Sequence, residues 1–229
     1  MPFPPNPYII GGRITDTNRF FGREKFFNDI NYYLKTDNVK LILLHGQRRI
    51  GKSSVIAQIP NKLGTDEFVF ISFDFQDTVN SSHQKIIHSI AIGIIDKIET
   101  KNEILTHLAE NIPSNIEIFS REFLPTVYQQ LGNKKLVLLW DEFDVLTERD
   151  TESDTDIKNF CDYILQLQKR DQKLFIIPVV GRHISKLPKL VSSLREALNI
   201  EIGLLKKEDT QKLIIQPDQN VLNYEEEAI

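Results

Sequence analysis

The chain has 229 residues, 41% of them hydrophobic and 26% charged, with a formal net charge of −4. That balance fits one globular α/β domain with room for the start of a second, and gives no reason to expect nucleic-acid binding. The single cysteine, Cys161, excludes an internal disulfide and a cysteine-based metal cluster, and is expected half-buried on a helix.

Residues 2–7 hold four prolines, so residues 1–19 are expected to form an extended arm. The first residues lack the basic and apolar regions of a signal peptide, and no apolar run approaches the ~18 residues needed to cross a bilayer. The cytoplasm is the expected compartment. Next comes Arg19-Phe20-Phe21-Gly22-Arg23-Glu24. Phe26, Phe27, Ile30, Tyr33 and Leu34 continue at a spacing near 3.6, which predicts a helix over 24–34. From the residues alone, this segment is open to two readings: an aromatic helix packed on the core, or a cover for a nucleotide base.

Residues 39–45 form an apolar run. It leads into Gly46-Gln47-Arg48-Arg49-Ile50-Gly51-Lys52-Ser53, and then into a helix-like stretch through residue 63 that begins with Ser54. Strand, G-x-x-x-x-G-K-S and helix together make the pattern of a phosphate-binding P-loop. Gly46 and Gly51 let backbone approach a phosphate without an intervening Cβ. The loop's N–H groups and the helix N-terminus then face the anion. Lys52 is expected on the β- and γ-phosphates and Ser53 on Mg²⁺.

Residues 68–74 are aromatic and β-branched, as in a buried strand. A broad stripe of isoleucines predicts a core helix over 83–98; His83 and His88 lie near it without partners that suggest a metal. A short helix and loop are expected over 100–120, broken by Pro113. A helix over 121–131 should tolerate Pro125 in its first turn and end at Gly132-Asn133.

The run Leu136-Val137-Leu138-Leu139-Trp140 ends in Asp141-Glu142. A strand buried on both faces explains the apolar part and puts two carboxylates at its C-terminal end, where parallel sheets bind ligands. Asp141 is the expected Mg²⁺ ligand and Glu142 the group that polarises a water against the γ-phosphate. Asp144 belongs to the same acidic cluster, as a supporting side chain or a helix cap. Residues 148–156 read as a solvated acidic loop, and 157–169 as a helix with Phe160, Ile164 and Leu167 on one face. Residues 174–180 read as the next buried strand despite Pro178, and Gly181-Arg182 follow it. Arg182 is either a surface arginine or a side chain that senses the γ-phosphate. Short helical pieces are expected over 184–198, a fifth strand over 199–205, and a helix from about residue 207 to 215.

Strands alternate with helices, so a parallel sheet with right-handed crossovers is expected. The P-loop, one intervening strand and the Asp-Glu pair together resemble the additional-strand division of P-loop ATPases, and more closely its STAND branch. Phe20-Phe21-Gly22-Arg23-Glu24 is similar to that branch's adenine-lining segment. Asp141-Glu142-Phe143-Asp144 is similar to its extended Walker B, and Gly181-Arg182 to its sensor-1 arginine. Residues 204–217, with Tyr224 and Ala228, resemble the start of its helical lid, although the usual proline-containing lid motif is absent at Gly203-Leu204-Leu205. The resemblance covers residues 8–229.

It implies a three-layer αβα sandwich with a five-stranded parallel sheet in the order 5-1-4-3-2. A P-loop ATPase domain would span residues 20–205, with a truncated helical lid at 206–229. It further implies ATP or ADP with Mg²⁺ as ligands, bound by residues 46–54 with Phe21, Gly22 and Arg23 near the base. The catalytic residues would be Glu142, Lys52 and Arg182, and the metal ligands Ser53 and Asp141. The expected function is a slowly hydrolysing ATP switch of a signalling or defence protein, whose partners are C-terminal domains beyond residue 229 and a nucleotide-dependent homo-oligomer. The alternatives are an AAA+-type loader or initiator acting on DNA, a small-molecule kinase and a degenerate interaction module.

Overall fold

In the computed structural model, the described residues are 11–78, 81–98, 102–148, 154–182, 187 and 194–215. Five strands, β1 (Ile42–His45), β2 (Phe68–Asp74), β3 (Lys135–Asp141), β4 (Leu174–Val180) and β5 (Leu198–Glu201), form one sheet in the order β2-β3-β4-β1-β5. Every pairing is parallel, so the sheet read from its other edge is the expected 5-1-4-3-2. Side chains of a strand point alternately to its two faces. Leu136, Leu138 and Trp140 of β3, with Leu174 and Ile176 of β4, therefore enter one core, while Val137, Leu139, Phe175 and Ile177 enter the other. Each fully buried aliphatic side chain contributes about 1.5–3 kcal/mol relative to exposure. That explains why these strands are apolar throughout rather than alternating.

The first core is closed by α3 (His83–Lys97), α4 (Glu103–Asn111), α5 (Leu124–Leu131) and α6 (Asp154–Arg170); the second is closed by α1 (Glu24–Thr36) and α2 (Lys52–Leu63). Three layers result, as the apolar stripes require. Ile86, Ile87, Ile90, Ala91 and Ile94 are the buried stripe of α3. Asn102 caps α4 by accepting from the N–H groups of Ile104 and Leu105. A last helix, α7 (Lys207–Ile215), follows β5. No helix among the described residues is long and apolar enough to cross a membrane.

Several expectations need correction. Cys161 is fully buried, not half-buried, because it shares the inward face of α6 with Phe160 and Ile164. Helix α6 starts at Asp154, so the end of the predicted acidic loop is helical; residues 149–153 lie outside the described residues. The helical run containing Pro125 starts with a π-helical turn, Phe119–Phe123. A wider turn accommodates a proline that has no N–H to donate and a ring that crowds the preceding turn. Strand β5 stops at Glu201 rather than 205. The arm is not extended throughout: Thr17–Arg19 forms a 3-10 turn capped by Asp16. Its first ten residues, most of 184–193, and the tail with Pro217, Tyr224 and Ala228 lie outside the described residues.

Pro178 sits inside β4, where a central strand normally needs every N–H. The ladder shows how it is accommodated. Leu41 pairs with Ile176 and Leu44 with Val179 in one register. No pairing is recorded between them, where Pro178 falls opposite Leu43. On its other side Pro178 stands opposite Trp140.

Candidate functional site

The C-terminal ends of four strands are brought level by the register: Asp74 opposite Asp141, and His45 opposite Val180. The loop after β1 opens at Gly46, where an added Cβ would lie 2.6 Å from the carbonyl oxygen of Ile202, just past β5. Only glycine fits beside that backbone. Gly51 has φ +94° and is the N-cap of α2, a left-handed position that glycine takes without penalty. Arg49 is also left-handed, at φ 66°. Gln47, Arg48 and Arg49 are exposed and Ile50 half-buried, and the Ile50 N–H donates to the Gln47 carbonyl at 3.3 Å. Lys52 is buried, with its ammonium donating to the same Gln47 carbonyl at 2.9 Å. The loop thus folds around a cation at the N-terminus of a helix, a place suited to an anion.

Residues from β3 meet this loop. The Ser53 hydroxyl lies close enough to the buried Asp141 carboxylate to lower its pKa, and the Glu142 N–H donates to Asp141 Oδ1 at 3.1 Å. Glu142 itself is left-handed, φ 50°, which turns the chain sharply at the strand end. Asp144 is buried and accepts the Gly181 N–H at 2.8 Å; its other oxygen lies 3.8 Å from Arg182 Nε. Arg182 therefore belongs to the acidic cluster, paired with Asp144. Phe75, Trp140, Phe143 and Phe160 pack edge-on and stacked beneath it, with centroids 5.0–6.3 Å apart, and so fix the floor on which the carboxylates stand.

Crowding and burial set the electrostatics. Burial raises the pKa of Asp141 first, and Asp74 adds to it; the Ser53 hydroxyl, the Glu142 N–H and the Arg13 charge oppose it. Burial also raises Glu142, reinforced by Asp141 and Asp144 and opposed by Lys52. A cation placed here would relieve this repulsion. The donor set fits Mg²⁺: one hydroxyl and one carboxylate are hard oxygen ligands, and Mg²⁺ ordinarily completes its shell with phosphate and water. Among the described residues no three His, Cys, Asp or Glu side chains form a ready-made metal cage.

A cavity of about 510 Å³ adjoins the loop, lined by Phe20, Phe21, Arg23, Ile50, Gly51 and Ser54, together with Ile14, Arg19, Arg49, Leu204, Leu205, Thr210 and Leu213. The structure brings the Phe20–Arg23 segment to the loop as expected, and assigns Arg23 a particular role. Its guanidinium donates to the carbonyls of Ile50 at 2.9 Å and Gly203 at 3.0 Å, bolting the loop to the segment after β5. Gly22 is left-handed, and a Cβ there would lie 2.6 Å from the Asp209 carboxyl of α7. Sequence reasoning missed Ile14, Thr210 and the structural use of Ser54 and Gln58, and took Leu204 and Leu205 for the end of a fifth strand and the start of a lid, and Leu213 for part of that lid. None carries a motif; each is placed by long-range packing.

A family model described as "Novel STAND NTPase 1" (nSTAND1) matches residues 13–229. No curated protein sequence matches the chain. Among solved structures, the ORC2 protein of Aeropyrum pernix, titled as ADPNP-ADP complexes, superposes with TM-score 0.55 at 12% identity, covering 90% of this chain and 55% of its own. The PCH-2 protein of C. elegans gives TM-score 0.42 at 14% identity, over 82% of this chain and 45% of its own. The chain spans about half the length of these two structures.

Proposed function

The chain belongs to the novel STAND NTPase 1 family, and from that premise we propose that it binds ATP with Mg²⁺ and hydrolyses it slowly, as the nucleotide switch of a signalling or defence protein. One observation carries most of the weight. Ser53, after the P-loop lysine, and Asp141, at the end of β3, are 88 residues apart in sequence, yet the Ser53 hydroxyl is near enough to the Asp141 carboxylate to oppose the burial that raises its pKa. In this reading residues 46–53 cradle the phosphates with backbone N–H groups, and Lys52 leaves the Gln47 carbonyl for the β- and γ-phosphates. Ser53 and Asp141 hold Mg²⁺, which when bound supplies positive charge at the phosphate oxygens. Glu142, whose pKa is raised by burial and by the neighbouring Asp141 and Asp144, orients the attacking water. Arg182, steered by Asp144, faces the terminal phosphate. The base occupies the cavity beneath Phe20 and Phe21, against Leu204 and Leu213, and α7 forms the start of a lid over it. The same switch is expected to pair nucleotide state with self-association. An action on DNA draws no support from the acidic balance of the chain.

Phosphate release from ATP tests the proposal. The purified chain should release phosphate on the minutes scale in the presence of Mg²⁺ and stop when EDTA is added. Neither ATP binding nor release at any Mg²⁺ concentration would contradict it.

A further inference from the structure

Strand β2 is one edge of the sheet, and little in its sequence guards that edge. From Phe68 to Phe73 it carries no charge and no proline, the usual devices against an added strand. The β2–β3 ladder fixes which backbone groups point outward. The Glu67 carbonyl accepts the Lys135 N–H at 2.9 Å just before the strand, and the Phe75 N–H donates to the Asp141 carbonyl at 3.1 Å just after it. In a parallel pair alternate residues turn both their groups to the neighbour, so residues 67, 69, 71, 73 and 75 serve β3. The N–H and C=O of Phe68, Phe70 and Ser72 point the other way, and none has a hydrogen-bond partner among the described residues. Phe68 and Phe70 are only 1% and 3% exposed, so their groups are recessed as well as unpaired, a costly state for backbone amides. A cavity of about 610 Å³ runs along this edge and touches every residue from 68 to 72. Phe68 and Phe70 belong to the core on the α2 side of the sheet and Ile71 to the core on the α3 side, and a space that meets both faces lies beyond the edge itself. Pro60 of α2 and Thr65 line one wall, and Gly93, Asp96 and Lys97 of α3 the other. A Cβ on Gly93 would meet nothing within 4 Å, so the wall stands open there. The cavity shares no lining residue with the one beside the P-loop.

We propose that this groove docks a single extended peptide segment of a partner protein, which adds a strand to the sheet along β2 and carries a carboxylate at one end. The backbone selects a strand, because the donors and acceptors of Phe68, Phe70 and Ser72 repeat at the two-residue period of a neighbouring strand. The walls select one peptide over a second copy of this chain. A second copy would bring its own α2 and α3 to the edge, and these would meet Pro60 and Lys97 before its β2 reached the groove floor. The lining selects the charge. Two lysines, Lys97 and Lys134, stand against one carboxylate, Asp96. The Lys134 ammonium donates to the Thr65 carbonyl at 2.9 Å, which lays a positive charge across the start of β2. A carboxylate at the end of the peptide meets that charge.

The test is fluorescence anisotropy with the full chain and a labelled synthetic peptide, an alternating run of valine and threonine that ends in a glutamate. Two control peptides are N-methylated, each at one of the two alternating sets of amides. In an added strand only one of those sets faces β2. The expected result is saturable binding of the parent peptide, with a loss of about tenfold or more for one methylated peptide and no more than about twofold for the other. Two variants report from the protein side. Ser72→Pro removes an edge-facing N–H that the β3 ladder does not use. Gly93→Leu fills the groove from a helix position that has room for a side chain. Each should keep an unfolding midpoint near that of the wild type and bind the peptide about tenfold more weakly or worse. Lys97→Glu should weaken binding a few-fold at low salt and less at high salt. No binding by the wild type, or equal losses for the two methylated peptides, would overturn the proposal. So would wild-type affinity in Gly93→Leu. A wild type that dimerises without peptide and becomes monomeric in Gly93→Leu would assign the groove to a second copy and overturn it as well. None of these readouts depends on nucleotide, so they stand apart from the function proposed above.

Discussion

Glu142 is held in a place that does not suit its charge. It is half-buried, faces Asp141 and Asp144, and is turned there by a left-handed backbone. Its pKa in the folded chain lies above the ordinary value, and Asp141 shares the direction. For a carboxyl raised on folding, the folded state binds more protons than the unfolded one. The contribution is therefore favourable below the unfolded pKa and is lost as pH rises through the folded one. At neutral pH Glu142 thus destabilises the nucleotide-free chain. Glu142→Gln is expected to raise the thermal unfolding midpoint at pH 7 and to lose that advantage when pH falls below the usual carboxylate range. An unchanged midpoint at pH 7 would contradict the electrostatic account. Gly46 makes a different kind of claim. The atom its Cβ would meet is a backbone carbonyl, which cannot rotate away. Gly46→Ala should therefore cost about 1–3 kcal/mol, read by urea denaturation.

The elements were legible to different degrees, for physical reasons. Strands β1, β3 and β4 carry apolar runs that bury almost throughout, and β2, α2 and α3 carry apolar residues whose inward face is buried, Phe68, Phe70 and Ile71 in β2. Strand β5 is half exposed along its length; such an edge strand leaves no run to read, and its extent was overestimated. The π-helical turn before Pro125 and the interrupted β1–β4 ladder opposite Pro178 answer local backbone constraints that periodicity does not record. At the site, the P-loop and the Asp141-Glu142 pair could be read because their chemistry is contiguous in sequence. The bolt formed by Arg23 could not, because its acceptors, Ile50 and Gly203, are 27 and 180 residues away. That bolt is the contact through which the P-loop feels the segment leading to α7. Arg23→Ala should speed amide hydrogen exchange in α7 (Lys207–Ile215) while leaving β1 and β3 protected. Unchanged exchange in α7 would mean that the helix is held by other contacts.

At the scale of the molecule, a parallel sheet does the assembling. Right-handed crossovers put every strand's C-terminal end on one edge, so residues from β1, β3 and β4 meet there whatever their separation in sequence. One side of that edge gathers Lys52, Ser53, Asp141, Glu142 and Arg182, the residues proposed to meet the phosphates. The other opens into a cavity roofed by the entry segment and by the residues around α7. In the proposed switch, a ligand that spans both would touch the sheet edge and the residues around α7 at once. The measurement that tests this most directly compares ATP binding and phosphate release in the wild type, Lys52→Ala and Glu142→Gln. The account predicts that Lys52→Ala loses ATP binding, while Glu142→Gln binds ATP at least as tightly as the wild type and releases no phosphate. Wild-type ATP affinity in Lys52→Ala, or undiminished phosphate release in Glu142→Gln, would contradict it.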